Sequence, residues 1–412
     1  MLNSPLIAQI AAEVQTPCWI YDANSIRQQI GRLRQFDVIR FAQKACSNTH
    51  LLRLMREQGV MVDSVSLGEI ERALVAGYEP GSKDHAPIVF TADLLDHATI
   101  ARVAQLNIPV NCGSPHMLQQ LAEAHPGHPV WLRINPGFGH GHSRKTNTGG
   151  EQSKHGIWHE QLGECLEIIQ QTGLQLIGLH MHIGSGVDYE HLQSVCEAMF
   201  KQAAIVHAFG LDLSAISVGG GLSIPYRDGE ADVDTAHYFE LWDKTRRQIE
   251  TVFGHALQME IEPGRFLVAQ SGILVAELRA QKQVGNNFFA LVDAGFNDLA
   301  RPAMYGSYHR ISALTRDGIT RSGKLRPTVV AGPLCESGDV FTQEEGGEVV
   351  TQELPACEIG DLLVFHDAGA YGASMSSNYN SRPLIPEVLV DGEQIQLIRR
   401  RQTIAELIAL EQ

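Results

Sequence analysis

Phe41-Ala42-Gln43-Lys44-Ala45-Cys46-Ser47-Asn48 places a lysine where an apolar, strand-like run, Val38 to Ala42, gives way to a helix-like one. Outward from it the same alternation recurs. Apolar, β-branched runs fall near 38–43, 60–65, 87–91, 108–112, 130–135, 176–182, 214–219 and 257–262. Most segments between them carry apolar residues at i, i+3 and i+4. The punctuation agrees. Ser66-Leu67-Gly68-Glu69 reads as a capping box with Gly77 as the stop, and Ser114-Pro115 as an N-cap followed by a first-turn proline. Asp188 opens a long helix that Gly210 closes. Cys18 to Asp22 reads as a short strand ahead of a first helix, Ala23 to about Gln35. Eight strands alternating with helices predict an α/β fold, a (β/α)8 TIM-like barrel over 24–265. An open doubly wound sheet is the competing reading, because counting strands does not show closure.

After Arg265 the texture changes. Strand-like runs, Phe288 to Val292, Thr328 to Val330, Leu362 to Phe365, Glu387 to Val390 and Gln394 to Leu397, are separated by turn residues, with little helix before Thr403 to Leu410. This predicts a C-terminal β domain, 266–412, which also takes in 1–23 through a strand at Trp19 to Tyr21.

Composition bounds the function. The 412 residues include 44% apolar types, ample for a sizeable core, and carry a net charge of −15 with no basic run long enough to track phosphates. Nucleic-acid binding is disfavoured. The first ten residues lack a basic n-region and no apolar span reaches 18 residues, so membrane insertion and secretion are disfavoured too. Seven scattered cysteines with no CxxC point to reduced thiols in a cytoplasm.

In a barrel the chemistry sits on the loops at the C-terminal ends of the strands. Lys44 follows strand 1, Asp63 ends strand 2, and His180-Met181-His182-Ile183-Gly184-Ser185 ends strand 6. Gly219-Gly220-Gly221 follows strand 7, and Glu262-Pro263-Gly264-Arg265 follows strand 8. An ammonium leaving a buried strand is costly to desolvate unless paired or neutralised. One use for it is a Schiff base with an aldehyde; the alternative is a lysine snorkelling at a strand end. Glycines after strands 7 and 8 lie where barrels bind phosphate, their bare N–H groups open to an anion. A phosphate cradle, a Schiff-base lysine and a carboxylate for a ring nitrogen together describe pyridoxal 5'-phosphate. Glu262 suits the last role; an ion pair with Arg265 is the alternative. His182 suits the ring face and Ser185 the phosphate. Zinc on His140, His142 and His155 is a weaker reading, since no Cys or carboxylate spacing completes a site.

These motifs resemble the alanine-racemase-fold (type III) pyridoxal phosphate decarboxylases. Asp293-Ala294-Gly295-Phe296-Asn297-Asp298, Arg301-Pro302-Ala303-Met304-Tyr305, Gly332-Pro333-Leu334-Cys335-Glu336-Ser337-Gly338-Asp339 and Asp367-Ala368-Gly369-Ala370-Tyr371-Gly372 extend the likeness over nearly the whole chain. Within that fold the set is similar to the diaminopimelate decarboxylases, in their enterobacterial form. The resemblance implies decarboxylation of meso-2,6-diaminopimelate to L-lysine, in a homodimer with sites shared between subunits. It implies that Lys44 carries the cofactor with Asp63 nearby, and that His182 stacks on the ring. Ser185, Gly219, Gly220, Gly221, Glu262, Gly264, Arg265 and Tyr371 would hold the cofactor. Cys335 would come from the other subunit as proton donor. Glu336 would take the distal ammonium of the substrate, and Arg265, Arg301 and Tyr305 its distal carboxylate, with Tyr371 also touching it. An arginine fork is what a second amino-acid head requires. Sibling decarboxylases for ornithine, arginine or carboxynorspermidine, a racemase of the same fold, and a non-catalytic cofactor carrier are the rivals. Two departures stand out: Phe41 and Cys46 replace the family's usual Tyr and Asn around the lysine, and Lys154-His155-Gly156 replaces Lys-Phe-Gly.

Overall fold

The structure is a computed structural model that describes every residue except 1, 82–85, 140–147, 183, 185 and 187. The chain divides into two compact units. One comprises 30–223 and 232–264; the other comprises 1–29, 224–231 and 265–412.

The first unit is a closed barrel of β1 (Val38–Ala42), β2 (Met61–Ser64), β3 (Ile88–Ala92), β4 (Val110–Cys112), β5 (Pro129–Asn135), β6 (Gln175–His180), β7 (Ala215–Ser217) and β8 (Gln258–Ile261). Neighbours pair in parallel in chain order, and Glu260 of β8 returns to pair with Val38 of β1. Each strand therefore has two partners, which excludes the open doubly wound sheet. Burial on both faces explains the near-continuous apolar runs of these strands. Arg40 is the exception inside β1: the residue is 1% exposed and its guanidinium donates to both Glu260 carboxylate oxygens, at 3.0 and 3.1 Å. A charged pair survives there because each group completes the other's hydrogen bonds.

The caps behave largely as the sequence indicates. Ser114 Oγ accepts from Met117 N, and Asp188 Oδ1 accepts from Glu190 N and His191 N. The capping box differs in one arm. Ser66 Oγ accepts from Glu69 N, but the Glu69 carboxylate accepts from Val65 N at 2.8 Å, one residue earlier than expected. The first helix is shorter than the sequence suggests, Ala23–Gly31, because a glycine ends it in a tight turn where Leu33 N donates to Ile30 O.

The second unit is built on a nine-stranded mixed sheet. Cys18–Asp22 lies inside it, antiparallel to Gly272–Val284 and parallel to Glu387–Asp391. Gly272–Val284, at 13 residues, is a strand that the sequence reading passes over. Its composition is rich in helix formers; pairing to Asn287–Val292 on one side overrides that propensity. A helix, Ser4–Val14, is also unanticipated, and seats Ile7 and Ile10 in a core with Ile20, Val275 and Val364.

Candidate active site

Two residues at the C-terminal ends of adjoining barrel strands converge on one carboxylate. Glu262, just beyond β8, accepts from His180 Nε2 at 2.9 Å and from Ser217 Oγ at 2.9 Å. His180 ends β6 and Ser217 ends β7. Burial opposes ionisation of Glu262, but the imidazole and its hydrogen bond, with the hydroxyl, outweigh it and hold the carboxyl low. Within its own unit, then, Glu262 is partnered by His180 and Ser217. Asp63, at the end of β2 and 3% exposed, goes the other way: burial and then the like charge of Glu262 raise it, against the Lys44 ammonium. Two carboxyls in one barrel mouth are driven apart, one ionised and one tending to keep its proton.

Lys44 sits on a single 3-10 turn, Gln43–Ala45, that ends β1. The side chain is exposed, while Gln43, Ala45 and Cys46 around it are buried. The ammonium of Lys44 therefore stays solvated, and the desolvation cost expected of a charge leaving a buried strand does not arise. Cys46 is 2% exposed, as a small packing residue would be. Gly264 passes so close to this turn that a Cβ there would lie 3.3 Å from the Cβ atoms of both Ala42 and Ala45.

The triple glycine is sterically obligatory. A Cβ on Gly219 would meet Met181 O at 2.5 Å, one on Gly220 would meet Glu262 O at 2.4 Å, and one on Gly221 would meet Gly184 O at 2.3 Å. Gly220 N also donates to His182 Nδ1 at 3.2 Å, fixing the imidazole plane and its acceptor nitrogen. Burial, then Arg133 and Lys44, keep His182 neutral, as that acceptor role requires. Beside the glycines a pocket is walled by His182, Gly184, Gly186, Gly220 and Gly221 together with Asp188, His191 and apolar side chains such as Leu192, Val195 and Trp242, so only its glycine part offers bare backbone to an anion. Deeper in the mouth, Asp63 Oδ1, Asn111 Oδ1 and His180 Nδ1 are buried without a hydrogen-bond partner among the described residues. Glycine cradle, lysine, ionised carboxylate and unmet polar atoms fit pyridoxal phosphate.

Arg133, buried on β5, is a site residue that the sequence reading missed. Burial works against its charge, while Asp93, Glu262 and Asp63 support it. An arginine inside an otherwise apolar strand was the available signal. His155 acquires a role as well: its Nδ1 pairs with Asp93, whose carboxylate also accepts from Gly156 N at 3.0 Å. His140, His142 and Ser185 lie outside the described residues. Among the described residues no group of three metal-ligating side chains occurs.

The second unit holds two further clusters. Arg265 Nη1 and Arg301 Nη1 both donate to Tyr226 Oη, at 2.7 and 3.2 Å, and Arg301 Nη1 also reaches His309 Nε2 at 3.1 Å. The Arg265 guanidinium lies 5.3 Å from the ring centre of Tyr371 and is in the field of Tyr305. Tyr371 and Asp367 both adopt left-handed backbone, φ 56° and 54°, around a glycine whose Cβ would meet Val268 O at 2.0 Å. Such strain persists only where the surroundings over-determine it. In the other cluster Cys335, exposed, donates its N–H to Asn380 Oδ1 at 2.8 Å, and Glu336 accepts from Tyr379 Oη at 3.4 Å. Among the described residues no hydrogen bond or ion pair joins Cys335 or Glu336 to the arginine cluster. Tyr226 and His309 have no place in the sequence reading.

Residues 23–269 match the family model for pyridoxal-dependent decarboxylases, pyridoxal binding domain. The chain is 67% identical to a diaminopimelate decarboxylase of Streptomyces coelicolor over 410 residues, covering 100% of this chain and 92% of that one. It is 65% identical to the diaminopimelate decarboxylase of Escherichia coli K12 over 413 residues, covering 100% and 97%. A crystal structure of a diaminopimelate decarboxylase superimposes with a TM-score of 0.95 at 65% identity, covering 99% of this chain and 96% of that one. The Helicobacter pylori enzyme complexed with L-lysine matches at 0.86 and 31%, covering 98% and 99%.

Proposed function

Because the chain belongs to the pyridoxal-dependent decarboxylases, on their diaminopimelate decarboxylase branch, we propose how its residues divide the work of that reaction. The reaction is decarboxylation of meso-diaminopimelate to L-lysine and CO2, with pyridoxal phosphate as cofactor. When bound, that cofactor supplies an electron sink for the carbon that loses CO2.

The barrel, 24–265, holds the cofactor. Lys44 Nζ anchors it, and Asp63 stands beside that amine. Gly219, Gly220, Gly221 and Gly264, with Ser185, take its phosphate; the steric need for glycine at 219–221 supports this. His182 lies on the ring face, oriented by Gly220 N. Glu262, kept ionised by His180 and Ser217, pairs with the ring nitrogen and holds a proton there. Tyr371 completes the contacts.

The β unit reads the substrate. Arg265, Arg301 and Tyr305 take the distal carboxylate and Glu336 the distal ammonium. Cys335 Sγ delivers the proton that replaces CO2. Cys335 is exposed and neither it nor Glu336 bonds to the arginine cluster among the described residues, which supports their serving a partner's site, in a cytoplasmic homodimer. No helix among the described residues is long and apolar enough to cross a membrane.

One observation carries the substrate assignment. Arg265 and Arg301 lie side by side with neutral partners only, and among the described residues no carboxylate forms an ion pair with either. Two uncompensated guanidiniums call for an anionic ligand, which ornithine and arginine lack at that end. The test is CO2 release from meso-diaminopimelate, ornithine and arginine. Wild type releases CO2 from the first alone and forms lysine; Lys44→Ala forms none. Equal lysine from both proteins overturns the assignment.

A further inference from the structure

Tyr226 belongs to a short piece of the barrel's seventh connection, Ile224–Ala231, that groups with the β unit. Its hydroxyl accepts from both guanidiniums, using both oxygen lone pairs. The O–H hydrogen is then left over, and no acceptor for it occurs among the described residues. Its ring lies under the same two cations, with centroid distances of 5.7 Å to Arg265 and 5.1 Å to Arg301. A donor hydrogen beside two cations suits an oxyanion, and the second carboxylate of the substrate is the one that the reading of these arginines supplies.

His309 sits behind Arg301, 2% exposed. Its Nδ1 faces the carbonyl of His366 at 2.9 Å. A carbonyl only accepts, so Nδ1 carries the hydrogen and Nε2 is a bare acceptor for Arg301 at 3.1 Å. Burial, then the Arg301 charge, push His309 down to about 3, so this tautomer stays neutral wherever the protein works. A carboxylate in that position would neutralise Arg301; a neutral imidazole orients it and leaves its charge for the ligand.

We propose that Tyr226 is a specificity-determining residue for the second carboxylate of the substrate, donating its O–H to that group while fixing Arg265 and Arg301, and that His309 is the positioning residue for Arg301. The inference rests on the reading that these arginines take the distal carboxylate.

L-Lysine retains that carboxylate and cadaverine is L-lysine without it, so the two inhibitors isolate the contact. In the holoenzyme, Tyr226→Phe keeps the ring and removes the hydroxyl. It raises KM for meso-diaminopimelate and Ki for L-lysine each about tenfold, with most of the loss in KM, while Ki for cadaverine moves less than about twofold. His309→Leu has the same signature. His309→Gln, whose amide can accept from Arg301 and donate to the His366 carbonyl, recovers most of the loss. Equal weakening of both inhibitors by Tyr226→Phe would mean a scaffold role and overturns the inference. So does an unchanged lysine-to-cadaverine ratio, provided Arg301→Met collapses that ratio. If Arg301→Met also leaves the ratio unchanged, the underlying reading of the arginines fails instead.

Discussion

His180→Leu is the sharpest test of how the barrel mouth keeps Glu262 charged. Glu262 is 9% exposed and holds two hydrogen bonds, one from the His180 imidazole and one from the Ser217 hydroxyl. Leucine keeps much of the volume and leaves Ser217 alone. Stranding a buried charge in this way costs about 3–5 kcal/mol at neutral pH. The pH dependence gives the mechanism away. In the wild type the Glu262 carboxyl is depressed, so its stabilising contribution is present above the unfolded value and lost only as pH falls into strong acid. In the variant, burial and the nearby Asp63 dominate, the carboxyl rises above its unfolded value, and stability is lost as pH rises. The deficit relative to wild type should therefore grow from about pH 4 to pH 7. Denaturant midpoints of the cofactor-free proteins across that range measure it, and CO2 release should fall about tenfold to a hundredfold, as when an outer partner of a site ligand is lost. A deficit below about 1 kcal/mol that does not vary with pH would refute the reasoning.

Other outcomes follow from the same geometry. Gly220→Ala forces a Cβ to 2.4 Å from Glu262 O and should cost about 1–3 kcal/mol in stability and weaken pyridoxal phosphate binding, read by absorbance titration; wild-type affinity would contradict the cradle. Asp298, 1% exposed, is pushed up to about 7 by burial, so its contribution to stability is lost as pH rises from about 4 to 7. Asp298→Asn should remove that loss, since an amide has no charge to desolvate; a thermal midpoint that tracks wild type at every pH would exclude it. Mixed Lys44→Ala and Cys335→Ala subunits should recover part of the activity through hybrid dimers, whereas demonstrated hybrids with no recovery would argue against sites built from two chains.

The barrel was legible because doubly buried strands write unbroken apolar runs, and the candidate site residues Lys44, Asp63, Gly219–Gly221 and Glu262 all lie at their C-terminal ends. Closure was not legible, since pairing of β8 with β1 leaves no mark on either strand's composition. Gly272–Val284 was hidden by helix-forming residues whose strand state comes from tertiary pairing. The exposure of Lys44 was left open by the sequence, because the 3-10 turn that follows the strand and presents the side chain to solvent has no signature of its own there. Tyr226 meets Arg265 and Arg301 across 39 and 75 positions of sequence, and His309 meets Arg301 across eight that fit no strand or helix period, so only coordinates reveal these contacts. Arg133 could have been read: like Arg40, it is a charge inside an apolar strand.

The account stands on Lys44 as the residue that anchors the cofactor. Borohydride reduction of the pyridoxal phosphate-loaded protein, followed by digestion and mass spectrometry, reads that directly. A phosphopyridoxyl group on the peptide carrying Lys44 is the predicted result; the same mass on any other lysine, with Lys44 unlabelled, would contradict it.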